Sequence, residues 1–384
     1  ELVETGPSGA EEMETTAEPD AGWRVDFSPR GIDLDSFPYH VWRKLSRNTL
    51  VDDNKEMFHS GNHQGEPGLR EAIRSYLHSA RGVNCSPEQI IVGAGSEYLL
   101  MLLSQILEGK HVIAMENPTY KQAYRVFRSL DYEVCPVEMD ANGMEPELLT
   151  RSGANVAYVM PSHQFPTGVV MPVGRRQELL KWAVEAPDRY IIEDDYDSEF
   201  RYRGKPIPAL QGMDRSGRVI YLGTFSKCIA PAIRVSYLVL PTHLLLRYRS
   251  QTSFYASTVS RIDQNILYQF LAGGYFERHL NRMRAVYKTK HDLLLEQIEP
   301  LRERFEIRGE HAGIHILLTS RQGESEEQLI QKAEEAGVKV YGLSSYFIHP
   351  QHNHRPATVV LGYASLSEEQ IVEGIRLLME CWGA

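Results

Sequence analysis

The chain has 384 residues, with 41 lysines and arginines against 51 aspartates and glutamates, so its formal net charge is −10. Hydrophobic residues make up 42% and charged residues 24%, which is typical of a globular protein and excludes a mainly disordered or collagenous chain. An acidic balance also lacks the positive surface of a nucleic-acid-binding domain, so any DNA binding is expected from a part of the protein absent from this sequence. No apolar run approaches the roughly 20 residues of a membrane helix, and nothing resembles a signal peptide.

Residues 1–22 are acidic, rich in Gly, Pro, Thr and Glu, and without apolar periodicity. Such a composition buries too little apolar surface to order itself, so we expect a linker or a flexible terminus. Composition alone favours the flexible terminus, whereas a linker would indicate a further domain upstream.

Helices and strands alternate in the next part of the chain. Residues 65–82 have apolar residues at helical spacing and end at Gly82, which suits a helix C-terminus. Short apolar runs predict strands at 90–92, 111–116, 132–139, 156–161, 189–195, 218–226 and 236–241. Helical patterns such as 175–186 separate several of these runs, which predicts an α/β fold with a mostly parallel sheet.

The pattern changes after about residue 265. Long helical stretches over 262–300 precede short apolar runs near 313–318, 338–341 and 358–364, and a helical pattern closes the chain at 367–381. This order predicts a second, smaller α+β domain.

Lys227 lies in the segment GTFSKCIAPAIRVSY (223–237), directly after a predicted strand. A lysine at the end of an apolar strand is partly desolvated, which lowers its pKa and makes the amine nucleophilic. Thr224, Ser226 and Arg234 supply the hydroxyls and the guanidinium that suit an anionic phosphate. A nucleophilic lysine beside a phosphate site indicates a Schiff base with pyridoxal phosphate, and a solvated surface loop is the alternative.

A run of acidic residues follows another predicted strand in YIIEDDYDSEF (190–200). One of these carboxylates could pair with a pyridinium nitrogen, and the neighbouring Tyr196 could donate to the ring oxygen of the same cofactor. A solvated loop or a metal site is the alternative, but no histidine at ligand spacing stands beside the acids, so we predict no metal.

Two further segments could contribute to the same site. Gly95 and Ser96 lie in a Gly-rich turn between a strand and a helix, where backbone amides and the helix N-terminus favour an anion. Tyr120 follows a proline turn in ENPTYKQAY (116–124) and could stack on a flat ring, although most such tyrosines are ordinary core or surface aromatics.

Taken in order, these motifs resemble the fold-type-I pyridoxal-phosphate enzymes of the aspartate aminotransferase superfamily. More narrowly, PSHQFPTG, IIEDDYDSEFRY, GTFSK and YFERHLNRMRAVY (275–287) look like the MocR/GabR branch of the GntR transcription regulators, over about residues 23–384. In that family a winged helix-turn-helix domain is joined through a linker to an aminotransferase-like effector domain. The resemblance therefore implies a DNA-binding domain upstream of this chain and a homodimer. The four cysteines form no CxxC pair, which favours reduced thiols in a cytoplasmic protein.

The resemblance also implies a domain arrangement. Residues 1–22 would be the linker, and residues 23–50 a segment that joins the small domain at the substrate site. Residues 51–265 would form the large pyridoxal-phosphate domain around a seven-stranded type of mostly parallel sheet. Residues 266–384 would form the smaller C-terminal domain.

Roles for individual residues follow from the same resemblance. Lys227 would form the Schiff base, Asp194 would pair with the pyridine nitrogen and Tyr196 with the ring oxygen. The effector would be held by Arg355, with Arg30 as a second contact. The remaining cofactor-binding residues would be Gly95, Ser96, Tyr120, His163, Thr224, Ser226 and Arg234.

Three departures from the aminotransferase pattern bear on function. Phe165 stands where aminotransferases carry an asparagine, and Ser60 falls about where a tyrosine would be expected. These changes argue against efficient transamination more than against cofactor binding. Lys121 and Gln122 occupy the positions where relatives that bind γ-aminobutyrate have an arginine. The effector therefore stays open between a D-alanyl-D-alanine type of dipeptide, a small amino acid, γ-aminobutyrate and a metabolite of the pyridoxal-phosphate pathway.

The expected function is that of a ligand-sensing domain. An amino compound would displace Lys227 and form an external aldimine, at which the reaction would halt, and the resulting shift between the two domains would reach the absent DNA-binding domain. A genuine aminotransferase is the first alternative. A scaffold independent of the cofactor is the second, and Lys227, Asp194 and Arg234 together argue against it.

Overall fold

The computed structural model describes residues 22–50, 55–202, 207–349 and 356–383. The strands are β1 (Val25–Asp26), β2 (Ile90–Gly93), β3 (Val112–Asn117), β4 (Glu133–Asp140), β5 (Gly143–Met144), β6 (Val156–Val159), β7 (Tyr190–Asp195), β8 (Val219–Thr224), β9 (Ser236–Val239), β10 (Phe305–Arg308), β11 (His315–Ser320), β12 (Val338–Lys339), β13 (Tyr341–Gly342) and β14 (Thr358–Gly362). The helices are α1 (Tyr39–Leu50), α2 (Pro67–Arg81), α3 (Ser96–Leu107), α4 (Lys121–Ser129), α5 (Pro146–Arg151), α6 (Val173–Val184), α7 (Leu210–Met213), α8 (Thr242–Gln251), α9 (Arg261–Ala272), α10 (Tyr275–Gln297), α11 (Glu326–Glu335) and α12 (Glu368–Trp382).

Within the described ranges, the large sheet has eight strands in the order β2-β9-β8-β7-β6-β3-β4-β5. Pairing is parallel from β8 through β7, β6 and β3 to β4, whereas β9 and β5 run antiparallel to their neighbours. The predicted α/β class with a mostly parallel sheet is confirmed. The two-residue edge strand β5 makes eight strands where a seven-stranded type was expected.

Helices cover both faces of this sheet, which explains why its strands are nearly continuous apolar runs. Alternate residues point to opposite faces: Ile91 packs in one cluster with α3, α4 and α8, whereas Ile90 and Val92 pack in another with α2, α9 and α10. A third cluster, around Leu179 and Trp182 of α6, covers the rest of the second face.

The C-terminal part is built on an antiparallel sheet of order β10-β11-β14-β13, packed against α11 and α12. The N-terminal segment joins it, because β1 pairs in parallel with β12 and Phe27 exchanges backbone hydrogen bonds with Lys339 and Gly362. Phe27 is fully buried in that core and packs against the position of Gly374. The domain boundaries remain predictions.

The predicted helical stretch 262–300 is two helices, α9 and α10, because the chain turns at Gly273 and Gly274. Gly274 has a φ of +68°, a left-handed conformation that glycine adopts without steric cost. Across the described residues, no helix combines the length and apolar character needed to cross a membrane.

The sheet topology places several loops at one edge. Strands β2, β3, β6, β7 and β8 run in the same direction, so their carboxyl ends lie together. Ligands of open α/β sheets bind at this edge.

Candidate functional site

A cavity of about 180 Å³ lies at the carboxyl ends of these strands. Most of the predicted site residues line it, and they come from segments that are far apart in the sequence. They are Arg30, Ser96, Tyr120, Asp194, Tyr196, Thr224, Ser226, Lys227 and Arg234, together with Glu97, Met160, Phe165 and Pro231.

Lys227 lies three residues beyond the end of β8, in the turn that follows it. Its ammonium nitrogen donates to the backbone carbonyl of Arg30 at 2.7 Å. Desolvation by the surrounding protein lowers the pKa of Lys227 to about 8; the charge of Asp197 opposes this shift and that of Arg30 adds to it. About a tenth of the amine is therefore uncharged and nucleophilic at pH 7, far more than for an ordinary lysine.

This pKa gives a prediction for cofactor uptake. Only the neutral amine attacks an aldehyde, so the rate of covalent uptake of pyridoxal phosphate by the cofactor-free protein is expected to rise with pH and to level off above about pH 8. Stopped-flow absorbance measures this rate. A small peptide with an ordinary lysine, of pKa about 10.4, is the control, and its rate should continue to rise beyond pH 9. Parallel profiles for the protein and the peptide would contradict the lowered pKa.

Asp194 is the next-to-last residue of β7, and its carboxyl group is buried. Burial raises its pKa to about 7; the hydroxyl of Tyr158, which donates to it, opposes the shift, and the charges of Asp195 and Asp197 add to it. A buried carboxylate of this kind is stabilised in its charged form by a neighbouring cation. A protonated pyridine nitrogen meets that requirement.

An anion site can form at the first turn of α3. Arg234 and Ser226 line the cavity there beside Ser96. The hydroxyl of Thr224 lies 3.2 Å from that of Ser226 and accepts at 2.9 Å from Ser236, so hydroxyl groups cluster at the end of β8. Hydroxyls, a guanidinium and a helix N-terminus are the donors that a phosphate needs.

Gly95 allows the guanidinium of Arg234 to approach this turn. It precedes α3 with a φ of +98°, and a Cβ atom there would lie 2.3 Å from Nη2 of Arg234. A side chain at position 95 must therefore displace the arginine.

We expect Gly95→Ala to weaken the binding of pyridoxal phosphate at least tenfold, because the methyl group pushes Arg234 away from the anion site. Equilibrium titration of the cofactor-free protein measures the affinity. Gly153→Ala is the matched control, since Gly153 also has a positive φ of +71° but no atom lies within 4 Å of its Cβ position. Equal affinities in the two variants would contradict this account of Gly95.

Aromatic side chains form another wall of the cavity. The ring centroid of Phe165 lies 6.1 Å from those of both Tyr120 and Tyr196, and each pair meets edge to face. Burial raises the pKa of Tyr120 to about 12, so its hydroxyl stays neutral at physiological pH. These rings exclude water from one side of the site.

His163 does not line this cavity but lies behind Tyr196. Its Nδ1 is 3.0 Å from the Tyr196 hydroxyl and 2.8 Å from a carboxylate oxygen of Asp197. It therefore reaches the cavity through Tyr196. Direct contact between His163 and a cofactor remains a prediction.

The two residues predicted to bind the effector are Arg30 and Arg355. Arg30 is exposed at the rim of the cavity, where the segment after β1 brings its backbone to Lys227. Arg355 lies outside the described residues, as do residues 1–21 of the predicted linker. Among the described residues, no cluster of three or more His, Cys, Asp and Glu side chains could hold a metal ion.

The sequence analysis missed three residues of the site. Tyr158 donates to Asp194 from the neighbouring strand β6, and Ser236 donates to Thr224 from β9. Glu97 follows Ser96 in the first turn of α3, and its carboxylate pairs with Arg234. The sequence does offer a signal for Glu97, because it is an acidic residue directly after the Gly-Ser turn.

The residues present fit pyridoxal phosphate. The buried Asp194 lacks a cationic partner among its described contacts, and the desolvated Lys227 offers a reactive amine. The Gly95 turn leaves space for Arg234 and an anion.

Comparisons with known proteins agree with this fit. The family model described as "Aminotransferase class I and II" matches residues 33–377. The uncharacterized HTH-type transcriptional regulator YdeL of Bacillus subtilis is 42% identical over 96% of this chain and 79% of its own length. The probable rhizopine catabolism regulatory protein MocR of Rhizobium meliloti is 34% identical over 92% of this chain and 72% of its own length.

Solved structures show the same fold. The multiple substrate aminotransferase of Thermococcus profundus has a TM-score of 0.82 at 28% identity, over 93% of this chain and 90% of that one. The kynurenine aminotransferase of Pyrococcus horikoshii, solved with PMP, has a TM-score of 0.83 at 25% identity, over 97% of this chain and 96% of that one.

Proposed function

The chain belongs to the class I and II aminotransferase family, whose cofactor is pyridoxal phosphate, and we propose that it is the ligand-sensing domain of a MocR-type transcription regulator. The observation that supports this proposal most is its similarity to YdeL and MocR, both named as regulators, which exceeds its similarity to the solved aminotransferases. The retained lysine, aspartate and anion site supply the means to bind the cofactor.

Each residue of the site has a proposed task. When bound, pyridoxal phosphate supplies an aldehyde carbon that condenses with primary amines and a ring that withdraws electrons. Lys227 provides the amine of the protein, and Asp194 keeps a proton on the ring nitrogen. Tyr196 holds a proton at the ring oxygen, and its hydroxyl is oriented by His163, whose ring is in turn held by Asp197.

The other residues hold and shield the cofactor. Arg234, Ser96 and the hydroxyls of Thr224 and Ser226 bind the phosphate through hydrogen bonds. Tyr120 covers a face of the ring and, with Phe165, excludes water. Arg30 and Arg355 are the candidates for the carboxylate of an effector.

The N-terminal segment is the proposed route of the signal. The amine of Lys227 bonds to the carbonyl of Arg30, and this same segment is hydrogen-bonded through Phe27 to β12 and β14 of the C-terminal sheet. An effector that takes the place of Lys227 changes the partners of that amine. We propose that the change moves the segment together with the C-terminal part.

The remaining partners follow from the regulator assignment. DNA binding belongs to a part of the protein outside this sequence, and the chain works as a homodimer in the cytoplasm. The effector is a small amino compound with a carboxylate, such as γ-aminobutyrate or a D-alanyl-D-alanine type of dipeptide.

Titration of the cofactor-loaded protein with amino acids and dipeptides tests the proposal. One compound is expected to shift the visible absorption band of the bound cofactor, while no keto acid is released. A spectrum that is unchanged by every amine in the panel would contradict sensing.

A genuine aminotransferase is the second candidate, because the solved relatives are named as aminotransferases and Lys227 and Asp194 are both in place. Its mark is turnover: keto acid and pyridoxamine phosphate would accumulate in the same titration. Release of keto acid in proportion to time would favour this candidate over the sensor.

A further inference from the structure

A carboxylate occupies the anion site at the start of α3. Glu97, the second residue of that helix, lines the cavity, and its Oε2 lies 2.8 Å from Nη2 of Arg234. Both side chains are partly open to solvent, with exposed fractions of 30% for Glu97 and 53% for Arg234. The ion pair therefore lies at the cavity surface and can be reached by a ligand.

The ion pair lies directly over Gly95. A Cβ atom at that position would be 2.3 Å from Nη2 of Arg234 and 2.9 Å from Oε2 of Glu97. The carboxylate thus meets the guanidinium beside the helix N-terminus, where the hydroxyls of Ser96 and Ser226 also line the cavity. These are the groups to which the proposed function assigns the phosphate.

A phosphate at this position has two ways to bind, and both have an electrostatic cost. If it displaces Glu97, the ion pair with Arg234 is lost. If it shares Arg234 with Glu97, two anionic groups lie close together, one of them a phosphate monoester with a charge between about −1.5 and −2. In either case the carboxylate lowers the affinity of the site for the phosphate.

We propose that Glu97 is an affinity-determining residue that competes with the cofactor phosphate for Arg234. This inference rests on the proposed placement of the phosphate. Its consequence is a cofactor that is held less tightly than Arg234 and the helix N-terminus would allow, so that the cofactor exchanges with free pyridoxal phosphate.

Glu97→Gln tests the inference, because glutamine keeps the shape of the side chain and removes its charge. We expect the cofactor-free variant to bind pyridoxal phosphate up to about fivefold more tightly in an equilibrium absorbance titration, which corresponds to about 1 kcal/mol, the upper limit for an ion pair of this exposure. Pyridoxal, which has no phosphate, should bind the variant and the unchanged protein equally within about twofold. Inorganic phosphate should compete with the cofactor with a lower inhibition constant in the variant.

Glu178→Gln is the matched control. Glu178 pairs with Arg175 through the same kind of contact, at 2.9 Å, on α6 and outside the cavity. This variant changes the net charge equally, so it should leave the affinity for pyridoxal phosphate unchanged. An equal tightening in both variants would show an effect of net charge alone and overturn the inference.

Other results also overturn it. If Glu97 serves to orient Arg234, then Glu97→Gln weakens the binding of pyridoxal phosphate. If Glu97 acts on the ring or on Lys227, the variant changes the affinities for pyridoxal and for pyridoxal phosphate by the same factor. Arg234→Gln separates this inference from the proposed function: unchanged cofactor affinity in that variant contradicts the phosphate placement itself, whereas weakened affinity there with no effect of Glu97→Gln contradicts only the role of Glu97.

Discussion

Replacing Lys227 with alanine is expected to abolish covalent attachment of pyridoxal phosphate to the protein. Lys227 is the lysine that lines the cavity, and its lowered pKa makes it the reactive amine there. Reduction of the cofactor-loaded protein with borohydride, followed by mass spectrometry, is expected to place the cofactor adduct on the peptide that contains residue 227. The Lys227→Ala protein should carry no adduct on any peptide.

Lys181→Ala is the control for this experiment, because Lys181 is an exposed lysine on α6. It should retain the full adduct. The Lys227→Ala protein should also unfold at nearly the same temperature as the unchanged protein, since it loses one hydrogen bond, worth about 0.5–1.5 kcal/mol. A stoichiometric adduct on another residue would contradict the assignment of Lys227.

The largest effect on stability is expected from Arg81→Leu. Nε of Arg81, at the end of α2, lies 2.8 Å from Oδ2 of Asp195, and the exposed fractions of the two side chains are 8% and 1%. Arg81 also donates to Ser162, and the hydroxyl of Tyr221 donates to the same carboxylate oxygen at 2.6 Å. Removing the guanidinium leaves a buried carboxylate without its counter-charge, which costs about 3–5 kcal/mol of unfolding free energy.

Urea unfolding of the two proteins measures this loss. Arg74→Leu is the control in the same helix, because Arg74 pairs with Glu71 at the surface, where the exposed fractions are 34% and 52%. That surface pair is worth less than about 1 kcal/mol. Similar unfolding midpoints for the two variants would show that the Arg81 pair contributes no more than a surface pair.

The pKa of Asp195 agrees with this view of the pair. Burial alone would raise it, but the charge of Arg81 and hydrogen bonds from Ser198, Tyr221 and Arg81 hold it below its usual value. Asp194, one residue earlier, has no such cation, and burial raises its pKa to about 7. Two adjacent carboxylates of β7 therefore differ in pKa, because they point to opposite faces of the sheet and meet different partners.

The parts of the site that sequence analysis predicts are those with local signals. Lys227 follows one apolar strand and Asp194 lies at the end of another, and parallel strands bring their carboxyl ends together. Gly95 and Ser96 lie in a turn between a strand and a helix, which is visible in the sequence. The α/β class was predictable for the same reason, since strands and helices alternate along the chain.

Two contacts that the sequence does not indicate depend on pairing between distant segments. Tyr158 reaches Asp194 because β6 lies next to β7, and Arg81 reaches Asp195 from a helix 114 positions earlier in the chain. No spacing in the sequence indicates either contact, because each depends on the strand order and on helix packing. His163 is a different case: its motif was recognised, but only the structure shows that Tyr196 stands between it and the cavity.

The pairing of β1 with β12 has a consequence for how this protein is made. Val25 is aligned with Val338, so β1 finds its strand partner only after more than 300 further residues have left the ribosome. The C-terminal core cannot close around Phe27 before then, and contacts of such long sequence separation form slowly. A C-terminal fragment cut between the eight-stranded and the four-stranded sheet would lack β1 and leave β12 without its partner strand. Any truncated form of this protein that keeps the C-terminal part must therefore also keep β1.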